Sequence, residues 1–345
     1  MPFTAPQIAT ASKTALDFHL RNKPIDQVGH DLPLLKLLQG IKKTFPGGKQ
    51  YVTEQLRIAR NSNFQWYRGD DTVTYNTRNP AAQAQFEWGG WHDGFSMDED
   101  ELLQNGIILT DDGSAKASEA EKVQLANLLE EKVFALEQGA KESFDYQLHL
   151  DGTQNAEAVP GLDLLISLTP AVGTIGGINR ATATYWRNNV ATAVAAANLV
   201  QTMETMLRSC RKYGGFQGII LAGTTFIDTY RAQAKEEIQR HVVVNGGSAA
   251  KMDAGVEELY FRGIPIVWDP TFDDLDAALS PATPWAKRAY FINKNTMKLR
   301  PAEGHDMIAR NPPRVYNQYV HYQGLTWKGA LTINRPNGNG VIAIA

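Results

Sequence analysis

Cysteine is almost missing from this 345-residue sequence. Cys210 is the only one, so no disulfide can form within the chain, and metal sites built on several thiolates are excluded. A reducing compartment follows as the expectation. No Lys/Arg-rich run occurs, and the formal net charge is -3. That balance argues against a dedicated nucleic-acid binder, which carries a basic surplus or a concentrated basic stripe. No window reaches the roughly 18 apolar residues of a membrane span, and the opening MPFTAPQIATASKTALDFHL lacks a basic region followed by an apolar run. The chain reads as soluble and cytoplasmic, with no membrane partner.

Signatures of catalysis are lacking too. The stretch GTIGGINRATATYWRNN, Gly173 to Asn189, offers glycines whose N–H groups suit an anion, yet it has neither the Walker spacing nor G-x-G-x-x-G. His92 with Asp93, His149 with Asp151 and His305 with Asp306 are close pairs. No H-E-x-x-H or His/Cys cluster completes a ligand set around them, so they read as solvated or hydrogen-bonded histidines. No G-x-S-x-G elbow marks a nucleophile, although a Ser/His/Asp triad converges only in space and leaves no local trace. Cys210, flanked by Ser209 and Arg211, reads as a small packing residue. The acidic MDEDE, Met97 to Glu101, lacks the layout of a calcium loop and reads as the start of a short helix. No catalytic residue, cofactor or metal is expected.

With 43% hydrophobic and 21% charged residues, the chain can bury a sizeable core in an α+β fold. Residues 1–50 read as an arm whose Leu32, Leu34, Leu35, Leu37 and Leu38 need cover, for which a neighbouring subunit is expected. Phe64 to Met97 is rich in aromatic and β-branched residues and reads as an extended β-hairpin. It is either an ordinary antiparallel edge or a projecting loop that lays aromatic side chains on a partner; Trp66, Trp88 and Trp91 carry its apolar area, as interface anchors do. Ser118 and Glu121 form a capping box before apolar residues at Leu125, Leu129, Val133, Leu136, Ala140, Phe144 and Leu148, which predicts one helix over Glu119 to Leu150. Asn188 to Gly215 reads as another helix, Gln217 to Gly223 as a buried strand and Thr224 to Ile238 as a third helix. Glu258 to Pro270 reads as two strands meeting at Gly263, and further strands follow from Lys287 and Val315. A long helix, a projecting aromatic hairpin and an apolar arm bury little within one subunit, so the work is expected at interfaces, most simply with further copies of the same chain.

The order of these features resembles the major capsid proteins of tailed double-stranded DNA bacteriophages, with their Hong Kong ninety-seven-like fold. The resemblance runs from about residue 50 to the C-terminus. Its carriers are EDELLQNG (Glu99 to Gly106), DGT (Asp151 to Thr153) after the long helix, PGLDLLIS (Pro160 to Ser167) and VGTIGGINRATATYWRNN (Val172 to Asn189). GIPIVWDP (Gly263 to Pro270) and AYFINKNTMKLRP (Ala289 to Pro301) complete it.

The resemblance implies an N-terminal arm over 1–50 and an extension-loop hairpin over 51–110. A peripheral domain with its spine helix follows over 111–189, then an axial domain over 190–285 and return strands of the peripheral domain over 286–345. It implies pentamers and hexamers closing into an icosahedral head around double-stranded DNA, in a virion assembled in the host cytoplasm. Partners would be further copies of the chain, scaffolding, portal and decoration proteins, and packaged DNA held by weak, non-specific contact. The alternative is an encapsulin-type compartment. Within this frame Trp66, Trp88, Trp91, Arg180, Trp186 and Arg187 are subunit-interface candidates, with Trp186 equally a core anchor. Gly89, Gly90, Gly176 and Gly177 are hinge candidates. Two departures stand out. No long charged helical region precedes the fold, and the Lys, Asn and Glu of the family's covalent cross-link have no match, so no cross-linking is expected.

Overall fold

The computed structural model describes residues 31–59, 62–77, 80–104, 119–241, 259–310, 312 and 320–345. The chain divides into two units, Met1–Asp31 and Leu32–Ala345, and the second carries all the helices and strands of the described residues. Ser118 of the capping box, Val315, and the arm before residue 31 lie outside the described residues.

The first half of the unit carries α1 (Pro33–Gly40), β1 (Tyr51–Arg57), β2 (Ala81–Glu87), β3 (Gly89–Asp98), α2 (Glu99–Gln104), α3 (Glu119–His149), α4 (Leu162–Leu165), β4 (Thr174–Ile175) and β5 (Ile178–Asn179). Then come β6 (Asn189–Val194), α5 (Leu199–Arg211), β7 (Gly218–Ala222), α6 (Thr224–His241), β8 (Leu259–Phe261), β9 (Ile264–Trp268), α7 (Thr271–Leu279), β10 (Arg288–Asn293), β11 (Met297–Pro301), β12 (Ile308–Arg310), β13 (Val320–Ile333) and β14 (Gly340–Ile344).

A six-stranded mixed sheet in the order β6-β14-β10-β7-β9-β8 forms the larger layer. Its central strands are apolar on both faces because side chains alternate along a strand and both faces are covered. Ile219, Leu221, Tyr290, Ile292 and Val341 point into a core shared with α1, α3 and α7. Ile220, Ala222, Ala289, Phe291, Ile342 and Ile344 point the other way, onto Leu199, Met203, Met206 and Leu207 of α5 and Phe226 and Tyr230 of α6.

The second sheet is built on β13, which pairs with β3 along one edge and with β12 and β11 along the other. Trp91 and Trp327 are directly opposite in the β3–β13 ladder. Phe144 of α3 packs against both rings, 5.6 and 4.6 Å between centroids. Helix α3 spans 31 residues, about 46 Å at 1.5 Å per residue. Its C-terminal half buries Ala140, Phe144 and Leu148 at i, i+4 spacing. Beyond its end, Gly152 has a φ of 86°, a left-handed geometry that suits glycine after a helix.

Four expectations are corrected here. The leucines of α1 need no neighbour: Leu34, Leu35, Leu37 and Leu38 are buried in the chain's own core, so the unit already begins at Leu32, well before residue 50. The aromatic-rich hairpin has its ladder elsewhere. β1 and β2 pair from Tyr51↔Glu87 to Arg57↔Ala81, residues 62–77 contain no strand, and β3 joins the other sheet. Residues 189–194 form a strand although their alanines favour helix. Here β6 pairs in parallel with β14, and the Asn189 side chain donates to the carbonyls of Asn337 (2.8 Å) and Asn339 (3.1 Å), a tertiary override of local propensity. The strands of 286–345 do not return to a single sheet: β10 and β14 lie in the six-stranded sheet, β11, β12 and β13 in the other.

Candidate assembly surfaces

The loop between β1 and β2 holds its two limbs together by side chains. Asn63 donates to the Thr74 carbonyl and hydroxyl, Gln65 donates to the same hydroxyl, and Asp71 N–H closes a turn on the Arg68 carbonyl at 3.2 Å. The loop presents Phe64, Trp66, Tyr67 and Tyr75 outward, with Trp66 90% and Tyr75 92% exposed. Phe64 and Trp66 meet edge to face at 5.3 Å. Four large rings on one exposed loop form an apolar surface with no cover among the described residues. Trp88, the single residue between β2 and β3, is also exposed. Trp91 is different: it lies partly buried on the α3-facing side of the second sheet.

The glycine-rich stretch is a small docking unit. β4 and β5 form a hairpin, Ile175↔Ile178, whose turn is Gly176-Gly177 with φ of 57° and 76°. Both φ angles match a primed hairpin turn, which only glycine adopts readily. The hairpin sits on β2, where Gln85 N–H donates to the Gly176 carbonyl at 2.9 Å. A Cβ on Gly176 would lie 3.0 Å from the Ala84 methyl and 3.1 Å from the Phe86 ring.

Beneath this hairpin lie two residues expected at a subunit interface. Trp186 is 2% exposed, and its indole N–H donates to the Ile175 carbonyl at 3.0 Å. Arg180 is 3% exposed and donates to the Leu164 carbonyl at 3.3 Å. Both are core groups of their own chain. The half-buried Arg187 is held by backbone contacts, donating to the carbonyls of Arg180 and Ala181, each at 2.7 Å.

Gly89 and Gly90 are held in the β3–β13 ladder opposite Gly329 and Lys328. A Cβ on Gly89 would run into the Glu157 carbonyl oxygen. Their glycines answer a close approach of backbone within that ladder.

A buried cluster was not legible beforehand. His149 ends α3, and its Nδ1–H donates to the Asp145 carbonyl at 2.8 Å, one turn earlier. Its Nε2–H donates to Oδ2 of Asp269 at 2.9 Å. Burial alone would lower the imidazole pKa, but the Asp269 carboxylate and its hydrogen bond, with Asp145 beside them, raise it to about 9. Burial pushes the Asp145 carboxyl above the usual carboxylate range, with Asp269 adding to the effect. Its contacts with His149, Thr271 and the Leu35 N–H pull the other way. Asp145 accepts from Leu35 N–H at 2.9 Å and from the Thr271 hydroxyl at 3.0 Å.

Asp145, His149 and Asp269 could bracket a metal ion by distance. Their atoms are already committed, however, with both ring nitrogens donating and a proton where a ligand lone pair would be needed. The cluster is a structural junction between α1, α3 and the β9–α7 turn. The i, i+4 spacing of Asp145 and His149 was the sequence signal for half of it; the pairing of His149 with Asp151 was the wrong neighbour. Cys210 is buried, and burial pushes its thiol up to about 12, which fits the packing role.

No family model matches the chain, and no curated protein matches its sequence. Solved structures do. The capsid asymmetric unit of cyanophage A-1(L) is similar over 94% of this chain and 96% of that one, with a TM-score of 0.58 at 16% identity. The chain has the fold of phage capsid-shell proteins. A second similar structure is the capsid of Myoviridae phage XM1, with a TM-score of 0.55, 13% identity and coverage of 96% and 98%. The holo-SrpI encapsulin complex of Synechococcus elongatus shares this shell fold with a TM-score of 0.50, 11% identity and coverage of 96% and 94%. These solved neighbours are shell proteins.

Proposed function

We propose that the chain is a major capsid protein, a structural subunit that assembles with copies of itself into pentamers and hexamers and then into an icosahedral head enclosing double-stranded DNA. The observation that carries this reading is the end-to-end fold match, which covers nearly all of this chain and nearly all of the phage capsid subunits. The exposed aromatic loop agrees with it, because such a surface requires a partner and a repeating shell supplies one. On this reading the chain catalyses nothing, and its place is the virion, reached by assembly in the host cytoplasm.

The parts divide accordingly. The β1–β2 hairpin and its loop serve as the extension loop that reaches a neighbouring subunit. The second sheet with α3 is the peripheral domain and spine. The six-stranded sheet with α5 and α6 is the axial domain meeting its copies at the symmetry axes. Trp66 and Trp88 are the interface anchors that remain from the candidates.

Negative-stain microscopy of the purified protein, alone and co-expressed with the genes flanking its own, tests the proposal. Uniform hollow shells support it, and a compact small oligomer in both preparations overturns it. Scaffolding, portal and decoration proteins would be sought among those flanking genes. The encapsulin fold is the second reading, favoured by the SrpI likeness. Shell contents separate the two, DNA for a capsid and a cargo enzyme for a compartment.

A further inference from the structure

A cleft of about 340 Å³ lies between α5 and the β8–β9 turn, lined by Glu204, Leu207, Arg208, Arg211 and Arg262. Its first wall follows from sequence spacing: residues 204, 207, 208 and 211 fall at i, i+3, i+4 and i+7 and share one face of α5. The opposite wall is the turn. Phe261 and Ile264 are paired in register, which leaves Arg262-Gly263 as a two-residue loop with φ of 50° and 78°. Such a turn favours Asn, Asp or Gly at its first position. An arginine held in that left-handed backbone is an outlier of the kind found at functional sites. Its guanidinium reaches across to Glu204.

Three arginines and one carboxylate line the cleft, a formal surplus of two positive charges over the buried apolar floor of Leu207. Glu204 is shared, since Arg208 also approaches it at 3.5 Å. The Arg211 side chain makes no hydrogen bond or ion pair among the described residues. Capping the helix does not require it, because the N–H groups of Lys212, Gly214 and Gly215 already take the last carbonyls of α5 at 3.1 to 3.3 Å. Lys212 over the Tyr213 ring and Arg335 on the Tyr213 carbonyl extend the positive surface past the helix end. Guanidinium forks match the paired oxygens of a phosphate group and bind them with charge-assisted hydrogen bonds.

We propose that this cleft is a subsite for a phosphodiester group of double-stranded nucleic acid, its free oxygens taken by Arg211 and Arg262, with Glu204 as the resident counter-ion. The phosphate chemistry comes from the cleft itself; nucleic acid as its source rests on the shell reading above. The contact is independent of base sequence and falls with salt, as backbone contacts do.

The test is fluorescence anisotropy of a labelled mixed-sequence DNA duplex with the full-length protein across a salt series. The paired substitution R211Q/R262Q is expected to weaken binding roughly tenfold at about 50 mM salt and to flatten the log affinity against log salt slope by about 2, one unit per lost contact. E204Q is expected to tighten binding a few-fold, an effect opposite in sign to any loss of folding. R231Q, on the exposed surface of α6, is expected to change nothing. No wild-type binding, or unchanged affinity in the paired variant, overturns the subsite. Equal competition by poly-glutamate overturns the phosphate assignment, and displacement by millimolar inorganic phosphate overturns nucleic acid as the source. Microscopy of the same preparations keeps the readings apart. Shells with undiminished duplex affinity in the variant remove the subsite alone, whereas a small oligomer whose affinity still drops removes the shell reading and leaves the anion cleft.

Discussion

Nε2–H of His149 donates to Oδ2 of Asp269 at 2.9 Å, and both side chains are fully buried. The bond ties the last turn of α3 to the point where β9 of the six-stranded sheet turns into α7. The Asp269 N–H holds the other side of that turn, donating to the Ala222 carbonyl of β7 at 3.2 Å. Because the imidazole donates through both nitrogens, the junction is complete only when the ring is protonated.

Stability should therefore depend on alkaline pH. The His149 pKa is raised from 6.5 to about 9 in the folded chain, so its contribution is fully present below about pH 6.5 and is lost as the pH rises through about 9. The raised Asp145 carboxyl has the same sign, favouring the fold at lower pH. Thermal melts from pH 6 to 10 are expected to fall across this window. In H149Q the fall should be much smaller and the protein less stable at pH 7 by about 3–5 kcal/mol, the cost of leaving buried charge unpaired. An unchanged pH profile in H149Q would assign the dependence to other groups.

Gly176 and Gly177 share a turn but should respond differently to substitution. Both have positive φ, but only Gly176 faces Ala84 and Phe86, while the space beside Gly177 is open. G177A is expected to cost about 1 kcal/mol from backbone strain alone. G176A should cost more, because the hairpin must also lift from β2. Denaturant unfolding of the two variants checks the order, and equal losses would mean that the contact with β2 contributes nothing. Normal closed shells from the doubly substituted G176V/G177V chain would also remove these glycines as a hinge.

Trp186 offers a second measure of that junction. W186A is expected to lose about 3–5 kcal/mol for a fully buried ring. W186F keeps most of the ring's packing and loses the bond to the Ile175 carbonyl, leaving an acceptor unsatisfied at about 1–3 kcal/mol. Calorimetric melting of both variants distinguishes packing from hydrogen bonding, and a neutral W186A would contradict the core placement.

The aromatic loop should show the reverse pattern. W66S/Y75S removes two rings that touch little of their own chain, so subunit stability should move by less than about 0.5 kcal/mol. Shell yield by sedimentation should collapse if those rings seat on a neighbouring subunit. Wild-type yield would exclude the loop tip as an assembly contact.

Much of the second unit was legible in local pattern. The i, i+4 apolar spacing of Ala140, Phe144 and Leu148 marked the long helix, and the unbroken apolar run of Gly218 to Ala222 marked a strand covered on both faces. The break between two strands at Gly263 was legible as well. The aromatic surface of residues 64–75 was also visible as composition, because exposure of large rings on a loop needs no partner within the chain to be recognised.

Sequence by itself determined periodicity, turn chemistry and the excess of apolar surface that calls for assembly, since each depends on residues close along the chain. Only the tertiary structure decided which surface is covered by the chain itself. The leucines of α1 and the ring of Trp186 carry the same chemistry as an interface, yet they are buried by segments more than a hundred residues away in the first case and by the small β4–β5 hairpin in the second. The Asp145–His149–Asp269 junction and the arginine cleft belong to the same class: their members are assembled across 124 and 58 positions of sequence. Burial and electrostatic pairing are set by distance in space, which the order of residues does not encode locally.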